Sequence, residues 1–165
     1  MKAIEVRAGR PEDAAYVKES LLMLMGGSDV AGHGELIDAT VLPALIARIG
    51  DEPVGHLTYR ADPGGGWEVV TLGATRPGRG VGGALMDALL ESARRAGVSR
   101  VWLITTNDNT NALRFYQRRG FDLMRLDRDA VTRSRRDLKP SIPTHSDGIP
   151  MRHELELEWI PADRV

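Results

Sequence analysis

The run Gly78-Arg79-Gly80-Val81-Gly82-Gly83 is the stretch whose residue types and spacing point most directly to chemistry. It falls between a predicted strand and a predicted helix. Backbone amides at a helix N-terminus point outward without partners, and the helix dipole adds positive potential there. Such a run suits an anion, and small residues let a pyrophosphate approach the backbone. A plain glycine-rich turn is the alternative for the same residues. The run also satisfies the dinucleotide pattern GxGxxG, with Asp108 as the ribose acid. Three features weigh against that pattern. The run follows a three-strand meander rather than a first strand. Asp108 lies 30 residues past Gly78, where about 20 is usual. Only 82 residues follow Gly83, too few for a second nucleotide-binding half and a catalytic part.

Other chemistries drop out on residue type. There is no cysteine, which excludes a disulfide framework, a thiolate metal site and a cysteine nucleophile. His33, His56, His145 and His153 form no i,i+4 pair or ligand cluster, so no metal is expected.

The elements that must position the glycine run follow from hydrophobic period and turn residues. Ile4 to Ala8 reads as a strand. Pro11-Glu12-Asp13 opens a helix, since Pro fits the first turn and acids suit its positive end. Ala14, Val17, Leu21, Leu22, Leu24 and Met25 form that helix's apolar face. Gly26 to Gly34 reads as a mobile glycine-rich loop, and Glu35 to Leu42 as a short helix. Ala44 to Ile49, Val54 to Arg60 and Trp67 to Ala74 read as three strands joined by tight turns. From Val81 the period changes to 3.6, with Val81, Leu85, Met86, Leu89, Leu90 and Ala93 on one face and Gly97 as the stop. Val101 to Thr106 is a strand. Asn109 caps a helix over Thr110 to Arg119 that ends at Gly120. Phe121 to Leu126 is a strand, Lys139 to Pro150 is irregular, and Arg152 to Ile160 is a last strand. Helices scattered through a largely antiparallel sheet indicate an α+β, or mixed α/β, domain.

Length and charge set the outer bounds. The chain has 165 residues, 42% apolar and 27% charged, with a formal net charge of −1. One domain over 1–165 is expected, and disorder is excluded as the main state. No apolar run is long enough to span a membrane, and the N-terminus lacks the apolar block of a signal peptide, so a cytoplasmic protein is expected. The sequence pI is about 6.4, which does not favour nucleic acid. Of 22 basic residues, 19 are Arg, and nine basic against four acidic side chains fall between Arg114 and Lys139. That stretch reads as a solvated face, with a small phosphate-bearing ligand as the alternative.

Two stretches carry a resemblance to a known family, Val69 to Leu90 and Asn109-Thr110-Asn111-Ala112-Leu113-Arg114-Phe115-Tyr116-Gln117-Arg118-Arg119-Gly120-Phe121. They resemble the GNAT superfamily of acyl-CoA-dependent N-acetyltransferases. Val69 to Leu90 resembles its acetyl-CoA signature, [Q/R]-x-x-G-x-[G/A], with Gly80 and Gly82 on the glycines. Asn109 to Phe121 resembles its N-x-x-A-x-x-F-Y-x-x-x-G-F element. Pro77 stands where the signature has Gln or Arg. Pro donates no backbone hydrogen bond, so Arg76 or Arg79 is expected to supply the missing phosphate contact.

The resemblance implies a central, mostly antiparallel twisted sheet of about six to seven strands with about four helices. It implies acetyl-CoA as co-substrate and transfer of the acetyl group to an amine-bearing small molecule or peptide. A non-catalytic acyl-CoA-binding sensor or interaction module is the alternative. The family is often dimeric, which leaves a homodimer open. CoA contacts are implied at Arg79, Gly80, Val81, Gly82, Gly83 and Ala84, and along Leu72, Gly73 and Ala74. There the family's strand splays from its neighbour, and Gly73 fits a bulge. Asn109, besides capping its helix, is implied to contact the CoA arm. An alkyl amine with a pKa near 10.4 is only about 0.04% neutral at pH 7, so transfer needs a base. Glu68 matches a glutamate that some members use as that base, with Glu35, His33 and Asp62 as weaker candidates. Tyr116 matches the tyrosine that protonates the departing thiolate. Without cysteine, direct transfer in a ternary complex is the simpler expectation.

Overall fold

The computed structural model describes residues 2–164. A seven-stranded sheet has the order β1-β4-β5-β6-β7-β11-β8. Its strands are β1 (Ile4–Ala8), β4 (Ala44–Ile49), β5 (Glu52–Ala61), β6 (Trp67–Ala74), β7 (Val101–Thr106), β8 (Asp122–Asp127) and β11 (Glu154–Trp159). Every neighbouring pair is antiparallel except β6 with β7. Four α-helices accompany it: α1 (Ala14–Met25), α2 (Val81–Ala96), α3 (Thr110–Arg118) and α4 (Ala130–Asp137). This is the expected α+β architecture.

Alternation along the strands sorts the helices to two faces. In β4, Leu45 and Ala47 join the cluster around α2, while Ile46 joins Val17 and Leu21 of α1 on the other side. The 3.6-residue period of α2 is realised: Val81, Leu85, Met86, Leu89, Leu90 and Ala93 are all buried. Ala112, Leu113, Phe115 and Tyr116 bring α3 to the same face as α2. The first helix is anchored by charge. Arg7 donates to both oxygens of Asp13 at 2.7 and 2.9 Å, and Asp13 also accepts the Arg10 N–H at 2.7 Å.

Four stretches differ from the sequence reading. The expected loop over Gly26 to Gly34 and the expected helix over Glu35 to Leu42 instead form an antiparallel hairpin, β2 (Asp29–Gly32) and β3 (Glu35–Asp38), followed by a 3-10 turn at Ala39–Val41. His33 and Gly34 both take left-handed φ values of 51° and 74°, the geometry of a two-residue hairpin turn. The glycines mask the strands beside them.

The Arg-rich stretch contains α4, whose buried side is only Ala130, Val131 and Ser134. Its Arg135 is not part of a solvated face. It donates to the carbonyls of Ile142, Pro143 and Met151 at 2.9, 2.6 and 2.8 Å. The segment after it also carries a small ladder, β9 (His145–Ser146) with β10 (Ile149–Pro150).

Leu89 is fully buried between α2 and the sheet. Leu89→Ala is expected to lower the unfolding free energy by about 2–5 kcal/mol, measured by chemical denaturation.

Candidate active site

β6 and β7 are paired only at Trp67 with Val101 and Glu68 with Trp102. Beyond these pairs the strands run apart, and their facing edges line a cleft. The bulge in β6 lies at Val70, where the register with β5 shifts, and not at Gly73. Glycine at 73 has a steric cause instead. A Cβ there would stand 2.7 Å from Leu24 Cδ1 and 2.8 Å from His56 Cε1. His56 is wholly buried, its Nδ1 2.9 Å from Ser20 Oγ, and burial pushes the ring down to about 4, so it is neutral.

A cavity of about 620 Å³ opens in the cleft, lined by Glu68, Val69 and Val70 of β6 and Ile104 to Thr106 of β7. The end of α1, β2, the segment around Lys139 to Pro143, and Glu154 of β11 complete its walls. Asn109 lines it too, while its side chain accepts the Ala112 N–H at 3.3 Å as a helix cap. Leu72, Gly73 and Ala74 continue β6 beyond that lining.

At the other end of the cleft, Gly78 and Gly80 take left-handed φ values of 78° and 77°, turning the chain into α2. A Cβ on Gly82 would meet nothing closer than the Phe115 ring at 3.8 Å, so the backbone there is open. Gly83 is different: a Cβ would lie 2.1 Å from the Arg119 guanidinium, which also stacks over Phe115 at 4.6 Å. Val81 is buried and Ala84 half-buried as the helix begins. The two arginines near Pro77 differ in their engagement. Arg76 donates to both oxygens of Glu52 at 2.7 Å. Arg79 is exposed and makes no ion pair among the described residues.

Glu68 is 3% exposed and held from two sides. Arg60 Nε donates to Oε2 at 2.7 Å, and His33 Nε2 lies 3.4 Å from Oε1. Burial alone would push its carboxyl up, but His33 and Arg60 outweigh burial and hold it below the usual carboxylate range. Glu35 pairs with the same Arg60 from the surface. Asp62 is spent on structure: it accepts the Gly64 and Gly66 amides and Trp102 Nε1.

Tyr116 is buried, edge-on to Phe115 and Phe121 at 5.2 and 5.5 Å, and burial pushes its phenol up to about 12. It is outside the cavity lining. The cavity therefore gathers Glu68 and Asn109, while Tyr116 and the glycine run stand apart from it.

Glu154 is the residue that sequence reasoning missed. It is 6% exposed at the start of β11, opposite Thr106 of β7. Its signal is lost in the alternation Glu154-Leu155-Glu156-Leu157-Glu158, which reads as a polar face. Glu156 and Glu158 do answer Arg100 at 3.0 and 2.9 Å. Glu154 makes no ion pair among the described residues, and burial pushes its carboxyl up.

Residues 27–121 match the acetyltransferase (GNAT) family. The chain belongs to that family. It is 41% identical over 105 residues to the uncharacterized protein YdhI of Bacillus subtilis (strain 168), a match covering 63% of this chain and 64% of that protein. Its fold is that of the IAA acetyltransferase from Bacillus cereus ATCC 14579, with a TM-score of 0.77, 18% identity, and 96% and 100% of the two chains covered. A GNAT family acetyltransferase from Elizabethkingia anophelis, solved with acetyl-CoA bound, aligns with a TM-score of 0.68 and 15% identity over 96% of this chain and 98% of that one.

Gly82→Asp adds bulk and negative charge to the open turn at α2. Acetyl-CoA binding measured by calorimetry should be abolished, with the far-UV spectrum unchanged. Arg79→Ala should cost roughly 1.5–3 kcal/mol of CoA affinity if its guanidinium meets a phosphate. A larger loss for CoA than for dephospho-CoA would place it on the 3′-phosphate.

Proposed function

We propose that this protein transfers an acetyl group from acetyl-CoA to an amine by direct attack within a ternary complex. The observation that carries the proposal is the parting of β6 and β7 after two residue pairs, with the glycine turn into α2 at one end and the large cavity at the other. A thioester arm laid between two open strand edges finds backbone donors and acceptors on both sides. Amides from Arg79 to Gly83 take the pyrophosphate, the Ala84 N–H being already donated to the Gly80 carbonyl at 3.0 Å, and Leu72 to Ala74 with Asn109 take the pantetheine arm. The acetyl carbon then lies where the acceptor cavity meets the cleft. The relative solved with acetyl-CoA bound supports this co-substrate.

The neutral amine attacks the acetyl carbon and the C–S bond breaks. CoA leaves as a thiolate and takes a proton through Tyr116, which is refilled by the second proton of the attacking nitrogen. A phenol near 12 is a weak acid, and a thiol with pKa near 8.5 already leaves readily as thiolate. Tyr116 therefore assists without dominating. Glu68, held ionised, gives the acceptor's ammonium its counter-charge inside the cavity. The absence of cysteine leaves no thiol to carry the acetyl group in between.

The test is acetyl-CoA consumption across small amines, amino acids, aminoglycosides, polyamines and peptides. Turnover with one class supports the enzyme; tight acetyl-CoA binding with no turnover supports a sensor module instead. With an acceptor in hand, Tyr116→Phe should lower kcat by about 10² or less and leave acetyl-CoA affinity unchanged.

A further inference from the structure

We propose that Glu154, and not Glu68, accepts the first proton of the acceptor amine and passes it to solvent. The proposal rests on the acetyl-transfer reading and deepens it. The two carboxylates line one cavity and share His33 as a neighbour. His33 Nε2 faces Glu68 Oε1 at 3.4 Å, while His33 and Glu154 border a common small pocket and the His33 backbone favours the ionised form of Glu154. Their surroundings differ in sign. Glu68 has a basic group at each oxygen, so it stays ionised and is a poor proton acceptor. Glu154 is buried almost as deeply, with no ion pair among the described residues.

Charged groups do approach Glu154 from every side, but each is answered elsewhere. From α4, Arg133 donates to Asp127 at 2.8 Å and to the Arg128 carbonyl. From β8, Arg125 lies 3.7 Å from Glu156. From the hairpin, the His33 ring lies against Glu68, and its charge also reaches Glu154, where burial outweighs it. Asp127 adds repulsion that favours a protonated neighbour, and Asp137 borders the small cavity behind. Two carboxyls driven apart in proton affinity within one site divide the work: the lower one binds charge and the upper one moves protons. A base is most effective when its affinity lies nearest the working pH, and that condition selects Glu154.

The geometry also provides an exit. Glu154 lines the main cavity and a second, separate cavity of about 160 Å³, bordered by Asp127, Ala130, Arg133 and Asp137. An acceptor ammonium in the main cavity gives one proton to Glu154 and becomes the neutral nucleophile. Water in the second cavity then removes that proton, returning the carboxylate for the next turnover. The nitrogen's remaining surplus proton leaves after attack and ends on the CoA thiol, so the balance is one amide, one thiol and one proton released.

The experiment compares pH profiles of kcat/KM for wild type, Glu154→Gln and Glu68→Gln with the best acceptor amine. Glu154→Gln should lose about 10²–10⁴ in kcat/KM near neutrality. It should lose the acid limb of the profile and recover as pH approaches the amine's own pKa. Glu154→Asp should recover part of the loss. Glu68→Gln should raise the amine KM by roughly 10- to 100-fold and keep kcat and the acid limb. The reverse pattern, with Glu154→Gln near wild type and Glu68→Gln losing the acid limb, overturns the proposal. A complementary measurement needs neither a folded variant nor turnover. Carboxyl NMR of wild-type protein labelled with ¹³C-glutamate should show Glu154 titrating well above Glu68, and a midpoint at or below that of Glu68 overturns the proposal. If no amine is acetylated, the acetyl-transfer reading falls, and the order of the two midpoints still decides which carboxyl is the stronger proton acceptor.

Discussion

Two residue pairs hold β6 against β7, and the rest of the molecule is arranged around the separation that follows. A strand edge carries backbone donors and acceptors that must find partners. In most sheets the neighbouring strand supplies them. Here β5 satisfies one side of β6 and β11 satisfies one side of β7 along its length, leaving the two inner edges for something else. The bulge at Val70 adds local twist where the parting begins. The cleft is thus a property of the backbone, and side chains tune what enters it.

Around this cleft the charges divide into two functions. At the α2 end the chain offers amides, a helix dipole and an exposed arginine, an environment for an anion. At the cavity end it offers buried carboxylates, an environment for a cation. Glu68 and Glu154 sit 3% and 6% exposed, where leaving an anion unanswered is costly. The molecule answers the first with Arg60 and His33 and gives the second no ion pair among the described residues. Arg60 itself is shared with Glu35, so the hairpin that carries His33 and Glu35 is bound to the site by the same charges that tune it.

Much of this was legible in the sequence because it is local. The period of α2, the Asn109 cap, the glycine run and the strand carrying Glu68 each announce themselves within a few residues. The hairpin β2–β3 does not, because glycines at 26, 27, 32 and 34 look like a loop unless the left-handed pair His33-Gly34 is recognised as its turn. The helix α4 is hidden by having only Ala130, Val131 and Ser134 to bury. Glu154 is illegible for a different reason. Nothing in its own strand distinguishes it from Glu156 and Glu158. Its burial is created by the His33 turn, β8 and α4 meeting over it, which no local pattern records.

The place of β11 between β7 and β8 has a consequence for how the chain is made. β8 reaches the sheet only through β11, and β7 has only two pairs with β6 on its other side. As the polypeptide leaves the ribosome, α2, β7, α3 and β8 all emerge before residues 154–159. Until then the edges of β7 and β8 that β11 later pairs are open. Such edges are templates for pairing with other chains. Arrival of the last strand of the sheet closes the two facing edges in one step, while the outer edge of β8 and its Leu123, Met124 and Leu126 stay exposed in the folded sheet.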